Sequence, residues 1–197
     1  MIFLLVGLIA SASASVYVFF YSGMSATIRA PDISLAAGPD ASGSCTVYPC
    51  ATVTISATSD TATVSLSMFK ANSGFSPPPA TYYSNLVQVK NGNPSVSHSI
   101  MSVQIYNIAA TSLNDYGSIT VYYCTTQTEF SPTGSPITPA DCVGSFAITS
   151  STGGSVSGSF PVSIPASGTQ YLEVVAYAGS SGSISDTISF NIALQWV

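Results

Sequence analysis

Residues 61–68 read TATVSLSM, and this stretch decides most of the fold. Small polar side chains alternate there with the apolar side chains of Ala62, Val64, Leu66 and Met68. Because successive side chains of a β-strand point to opposite faces, this period of two predicts a strand with one buried face. A face of that kind must be covered by another layer, so the stretch indicates a layered β structure.

Short runs rich in Val, Ile, Thr and Tyr recur after residue 50, separated by Gly, Ser, Asn and Pro clusters. Together with the first stretch they predict strands at residues 51–58, 61–69, 82–90, 99–106, 117–125, 144–150, 155–164, 170–177 and 183–194. Short strands with no helix between them favour an antiparallel β-sandwich of immunoglobulin-like character. We expect this head domain to span residues 45–197. The Tyr and Phe side chains are expected to fill its core.

Residues 2–21 (IFLLVGLIASASASVYVFFY) differ from the head, because they contain no charged residue. A helix of about 20 such residues could span a membrane, and its apolar sides would need lipid or other helices around them. We therefore predict a helix over residues 1–29 and a Pro- and Gly-containing linker over residues 30–44. The predicted fold class is α+β by content, with a long apolar N-terminal helix ahead of an all-β head.

Small residues in the predicted helix recur every four positions, a spacing that lets helix backbones approach closely. The side chains expected to pack against neighbouring helices are those of Phe3, Leu4, Gly7, Leu8, Ser11, Ala14, Ser15, Val18 and Phe19.

Three interpretations of the N-terminus compete. It could be a secretory signal cleaved near residues 12–14 (ASA), or a permanent membrane anchor. It could also be a mature helix from which a short basic leader has been removed. The first positive charge is Arg29, so the basic flank of a signal peptide is missing, and an anchor has no positive charge on its cytoplasmic side.

In the third interpretation the sequence resembles the type IV pilin superfamily, in its archaeal pilin and archaellin branch. The resemblance lies in the start IFLLVGLIASASASVYVFFYSG, in a helix reaching about Ile28, and in a β-only head rich in Thr and Ser. The bacterial branch carries a glutamate where this chain has Leu5. The resemblance implies storage in the membrane, removal of a leader, and ATPase-driven assembly.

On this resemblance we expect the structural subunit of an extracellular, homo-oligomeric helical filament that serves adhesion or motility. Its helices would pack in the filament core, with the heads outside. Two alternatives stay open: a sandwich adhesin displayed singly on a membrane anchor, and a donor-strand filament in which residues 15–22 fill a neighbour's sheet.

Charged residues make up only 6% of the chain, with three Lys and Arg against eight Asp and Glu. Three basic side chains leave no electrostatic footprint for a phosphate backbone, so nucleic-acid binding is excluded. A surface so poor in charge needs hydroxyls, glycans or self-association to stay soluble. The possible N-glycosylation site at Asn93 is disqualified by Pro94, so any glycans are expected on Ser and Thr.

Four cysteines, Cys45, Cys50, Cys124 and Cys142, allow three pairings. Proximity in sequence favours Cys45–Cys50 and Cys124–Cys142, with buried free thiols as the alternative. The cysteines form no Cys-x-x-Cys motif and the chain has a single histidine, so neither a metal nor another cofactor is expected.

Catalytic signatures are missing from the sequence. His98 lies between two serines without the surroundings of a known catalytic motif, and we interpret it as a surface or edge-strand residue. The Asp and Glu residues do not occur in pairs or clusters, which argues against acid–base catalysis. We do not expect an enzyme.

Overall fold

Alternation of apolar and polar side chains builds eleven strands in the part of the chain that the computed structural model describes. It describes residues 31–41, 49–68, 80–110, 116–130, 141–148, 155–159, 161–178 and 187–197. The strands are β1 (Ile33–Ala37), β2 (Ala51–Ile55), β3 (Thr61–Ser67), β4 (Ala80–Asn91), β5 (His98–Ala110), β6 (Tyr116–Cys124), β7 (Cys142–Ile148), β8 (Ser155–Gly158), β9 (Val162–Ile164), β10 (Thr169–Ala178) and β11 (Thr187–Trp196).

The strands form two antiparallel sheets. The five-stranded sheet has the order β1-β4-β10-β6-β7, and the six-stranded sheet has the order β2-β3-β11-β5-β8, with β9 also paired to β5. Strands that are distant in sequence are neighbours in both sheets, so each sheet is complete only when the whole head has folded. The sandwich part of the predicted fold is confirmed.

The core lies between the two sheets and is mostly aliphatic, with the aromatic rings of Tyr83, Tyr123, Phe146 and Phe190 among the aliphatic side chains. The alternating face predicted from residues 61–68 is buried as expected, with Ala62, Val64, Leu66 and Met68 at most 2% exposed. A polar contact also joins the two sheets: the Tyr83 hydroxyl on β4 donates to the backbone carbonyl of Ser67 on β3, at 2.8 Å. Because the tyrosine is buried, this bond satisfies a hydroxyl that would otherwise be costly to remove from water.

One predicted strand is divided in the structure. The run predicted over residues 155–164 forms β8 and β9, which pair with different parts of β5. Pro161 lies immediately before β9, and proline has no backbone N–H to donate to a sheet. The division therefore follows from proline chemistry.

Strand β1 lies inside the range that the sequence analysis placed in a linker, residues 30–44. It pairs with β4 from Ile33↔Asn91 to Ala37↔Val87, and its Ile33 and Leu35 are buried. Five residues between prolines carry too little pattern to predict a strand, so its pairing with β4 decides its structure.

The predicted α+β class is wrong. The described residues contain no helix and are 71% strand, so they form an all-β fold. No helix among them is long and apolar enough to cross a membrane. The helix predicted over residues 1–29, with the packing side chains from Phe3 to Phe19, lies outside the described residues.

A close backbone approach at Gly38 gives a test of how β1 and the following turn dock on β4. The Gly38 N–H donates to the Leu86 carbonyl at 2.9 Å, and a methyl group on Gly38 would collide with the Asn85 carbonyl. We expect Gly38→Ala to lower the free energy of unfolding by about 1–3 kcal/mol in urea titrations, since backbone must shift to make room.

Gly92→Ala is the matched control, because the nearest atom to its methyl group would be the Asp32 carbonyl oxygen at 3.6 Å. We expect a change within about 0.5 kcal/mol. Equal effects of the two substitutions would contradict the close approach at Gly38.

Candidate functional site

The outer face of the five-stranded sheet carries three aromatic side chains beside its central strand. Tyr82 is on β4 and Tyr122 is on β6, and β10 pairs with both strands. The third is Phe130, which follows β6 in the chain. The Tyr82 and Phe130 rings are stacked, with centroids 5.8 Å apart and planes 17° from parallel. The Phe130 and Tyr122 centroids are 5.3 Å apart. The three rings thus form a continuous row.

Residues 125–130, which we call the covering segment, carry Phe130 onto this face. Cys124, at the end of β6, is joined to Cys142 by a disulfide, and the Thr125 N–H donates to the Asp141 carbonyl at 2.7 Å. Further along, the Gln127 side chain accepts from the Asn85 side-chain amide at 3.2 Å. The start and middle of the covering segment are therefore both fixed to neighbouring strands.

The covering segment explains a pattern on β10 that alternation alone does not. Leu172, Val174 and Ala176 face the core, so Glu173 and Val175 must face outward. Both are nevertheless buried, at 0% and 1% exposure. The outer face of the central strand is thus covered, and the bonds from residues 125–130 to β4 and β10 identify them as the cover.

Glu173 is bonded to the covering segment from below. Its Oε1 accepts the Thr128 backbone N–H at 3.1 Å, and its Oε2 is buried with no hydrogen-bond partner among the described residues. Burial raises the pKa of this carboxyl to about 7; the Thr128 bond opposes the shift, and the negative charges of Asp40 and Asp141 add to it. Glu173 therefore changes charge near neutral pH.

The aromatic row borders an open groove of about 590 Å³, which we call the aromatic groove. Its lining residues are Tyr82, Ser84, Gln127, Thr128, Glu129 and Phe130. Tyr82 is 36% exposed, so part of its ring is available to a ligand. Hydroxyl, amide and carboxylate groups lie beside the rings. A concave surface with aromatic walls and a few polar groups is the usual form of a ligand site.

The sequence indicated no role for these residues, and the aromatic side chains were predicted to fill the core. That expectation holds for Tyr83 and Tyr123, which are at most 5% exposed. It fails for Tyr82. The alternation of a strand could have distinguished the two residues: because neighbouring side chains face opposite sides of a sheet, Tyr82 must face outward when Tyr83 faces the core.

The cysteines form structural bonds. Cys124–Cys142 is the pairing that sequence proximity favoured. Cys50 is also disulfide-bonded, but Cys45 lies outside the described residues, so the Cys45–Cys50 pairing stays a prediction. The Glu173 carboxylate lies within 4.8 Å of the Cys124 and Cys142 sulfurs. Both sulfurs are committed to the disulfide, so these three residues do not form a thiolate metal site.

His98 has partners that the sequence did not indicate. Its Nε2 lies 2.9 Å from Asp32 Oδ2 and its Nδ1 lies 3.3 Å from the Val197 carbonyl oxygen. The ring also meets Trp196 edge-on, with centroids 4.8 Å apart. Since both nitrogens face acceptor oxygens, neither is directed at a nucleophile, and we assign the residue to the attachment of β11 to β5.

Comparison with known proteins gives a likeness of structure only. No protein-family model matches the chain, and no curated protein matches its sequence. The structure is similar to CBM27-1 of Caldicellulosiruptor saccharolyticus, solved in complex with mannohexaose, with 10% identity, a TM-score of 0.36, and coverage of 82% of this chain and 88% of that chain. A structure described as "CBM4 structure and function" shows 8% identity and a TM-score of 0.33, and the likeness covers 84% of this chain and 94% of that chain.

A structure of the infectious bursal disease virus Gt strain shows 14% identity and a TM-score of 0.23, and the likeness covers 89% of this chain and 34% of that chain. At these identities and TM-scores the similarities carry no argument about the ligand of this protein.

The predicted resemblance to type IV pilins and archaellins is wrong, and so is the predicted role as a filament subunit. The described residues are all-β with no helix, so they do not show the helical core that a pilin filament requires. The predicted roles in adhesion and motility depended on the filament, so they are wrong as well. The expected self-association, Ser- and Thr-linked glycans and extracellular location stay predictions.

The buried carboxyl of Glu173 is expected to make stability depend on pH. Between about pH 4.5 and pH 7 the folded state keeps a proton that the unfolded state has lost. The free energy of unfolding should therefore fall as pH rises through this window, by up to about 3 kcal/mol. Glu173→Gln should remove this fall, measured as the difference between variant and wild type in urea titrations at several pH values.

Glu129→Gln, which changes an exposed carboxylate in the same segment, should retain the wild-type dependence. A Glu173→Gln variant whose stability falls as steeply as that of the wild type would show that another group is responsible.

Proposed function

We propose that this protein is a carbohydrate-binding β-sandwich domain, with the aromatic groove as its binding site. The observation that carries the proposal is the row of Tyr82, Phe130 and Tyr122 beside polar groups in an open groove. One face of a pyranose ring presents C–H bonds, which are attracted to the electron-rich face of an aromatic ring. Its hydroxyls need polar partners at the edge of the same surface.

The polar groups of the groove suit hydroxyl recognition. The Gln127 amide carries donors and an acceptor, the Ser84 hydroxyl can do both, and the exposed Glu129 carboxylate accepts. The Gln127 Nε2 lies 3.4 Å from the Ser84 Oγ, a long bond that a sugar hydroxyl can replace. The groove thus offers direct bonds at its rim and stacking on its wall.

The absence of Lys and Arg from the lining favours a neutral ligand. The described residues that line the groove include a single charged one, Glu129, which is negative. A phosphate, sulfate or carboxylate ligand would be repelled by that charge. We therefore propose neutral hexose or pentose polymers as the ligand class.

A binding role fits the groove better than hydrolysis. Cleavage of a glycosidic bond requires two carboxyl groups that flank the sugar, one as acid and one as base or nucleophile. Of the described lining residues only Glu129 carries a carboxylate, and Glu173 is fully buried below the covering segment. We propose that the groove retains its ligand unchanged.

An extracellular location is part of the proposal. The Cys124–Cys142 disulfide supports it, because disulfides persist in oxidising compartments, and most polysaccharides lie outside the cell.

Affinity electrophoresis through gels that contain soluble mannan, xylan or β-glucan tests the site. We expect at least one polymer to retard the wild-type chain. Tyr82→Ala should weaken that binding about tenfold or more, corresponding to about 1.4 kcal/mol for the lost stacking surface. Isothermal titration with an oligosaccharide of the retarding polymer gives the affinity ratio.

Tyr106→Ala is the matched control, since Tyr106 is a half-buried tyrosine on β5 in the other sheet. It should leave the affinity within about twofold of the wild type, because it does not touch the groove. Equal loss in both variants, or no retardation by any of the polymers, would contradict the proposed function.

A further inference from the structure

Glu173 is placed where it can control the position of the binding residues. It sits on the central strand of the five-stranded sheet, and its side chain is 0% exposed. One carboxyl oxygen accepts the Thr128 N–H from the covering segment, and the other has no hydrogen-bond partner among the described residues. A buried carboxyl with a single bond is a costly arrangement, and structures keep few of them.

Thr128 is itself buried and lies between two residues that form the groove. Gln127 supplies the amide at the groove edge, and Phe130 forms the middle of the aromatic row. The Gln127 bonds to Asn85 and Ser84 are side-chain bonds, the first half-buried and the second exposed, at 3.2 and 3.4 Å. The bond from the Thr128 N–H to the Glu173 carboxyl attaches the backbone of this stretch to β10.

The surroundings of Glu173 do not favour its negative charge. Asp40, after β1, and Asp141, before β7, both act on it with like charge, and the Cys124 and Cys142 sulfurs lie within 4.8 Å. Tyr122 is its register partner on β6. Lys90 is the one Lys or Arg among the described residues, and it pairs with Thr169 near the start of β10, four residues before Glu173. The hydrogen bond from the Thr128 N–H favours the ionised carboxylate and so opposes the effects of burial and of the two like charges.

We propose that Glu173 acts as a proton-controlled latch: while its carboxyl is neutral the covering segment stays closed over β10, and its ionisation, whose burial costs more than the Thr128 bond returns, releases the segment and loosens the aromatic groove. The effect on ligand binding rests on the function proposed above, whereas the movement of the segment does not. Glu173 is a positioning residue in this arrangement, since it lies below the groove and acts through Thr128.

The physical reason is the cost of leaving an ionised carboxylate out of water. When the segment opens, water reaches Glu173, and its pKa returns towards its ordinary value of 4.5 from about 7. Ionisation is then easier in the open state, so rising pH shifts the equilibrium towards opening. From about pH 5 to about pH 8 the open fraction should increase on the order of 50- to 100-fold.

Amide hydrogen exchange at Thr128 measures this opening without any ligand. In the full 197-residue chain, the Thr128 protection factor, corrected for the intrinsic pH dependence of exchange, should fall on the order of 50- to 100-fold across that range. The Ser67 amide, which donates to the Cys50 carbonyl at 2.9 Å in the other sheet, should keep a constant protection factor.

Two variants separate the latch from other causes. Glu173→Gln preserves the shape of the side chain but cannot ionise, so Thr128 protection should be independent of pH. Glu129→Gln changes an exposed neighbour and should keep the wild-type fall. A wild-type protection factor that stays constant, or a Glu173→Gln variant that falls as the wild type does, would overturn the proposal.

A measurement on the wild type covers the case in which Glu173→Gln does not fold. The ¹³C shift of the Glu173 carboxyl should titrate with a midpoint near pH 7, the pH above which the Thr128 protection factor stops falling. A midpoint near 4.5, the ordinary value, would overturn the latch.

Polysaccharide affinity distinguishes the two proposals. Ligand binding that stays constant from about pH 5 to about pH 8, together with constant Thr128 protection, overturns the latch and leaves the binding function standing. Loss of Thr128 protection in a chain that binds no polysaccharide supports the latch and contradicts the function.

Discussion

The structure depends on one constraint: the central strand of the five-stranded sheet is buried on both faces. Five consecutive residues of β10, from Leu172 to Ala176, are at most 1% exposed. The inner face is covered by the opposite sheet, as in any sandwich. The outer face needs a second cover, and residues 125–130 provide it after the chain leaves β6. The covering segment, the disulfide at its base and the aromatic row all follow from that requirement.

The covering segment contributes both to the stability of the sheet and to the proposed binding site. The segment that is bonded to Glu173 also carries Gln127 and Phe130 to the groove, so the residues proposed to bind a ligand are positioned by the cover of β10. Covering this face buries the carboxyl of Glu173, which accepts one hydrogen bond and has a pKa of about 7. Sites that bind or switch often lie where a structure retains such an imperfectly satisfied polar group.

Much of the sandwich could be predicted from periodicity, because the alternation of apolar and polar residues in a strand indicates which of its faces is buried. The alternation of residues 61–68 predicted the buried face of β3, but β1 was missed, since a strand of five residues between prolines has too little pattern. The helix predicted over residues 1–29 led to a wrong fold class and a wrong function. The site could not be predicted: Thr128 and Glu173 are 45 residues apart, and only the sheet order brings them together.

The central claim is that carbohydrate binds on the outer face of the five-stranded sheet, at the covering segment. Backbone amide shifts recorded by NMR during titration with an oligosaccharide of a polymer that retards the chain test it most directly. We expect the largest changes at residues 82–84 and 127–130, with little change in β2, β3 and β11. Changes centred on the six-stranded sheet, or none at saturating oligosaccharide, would contradict it.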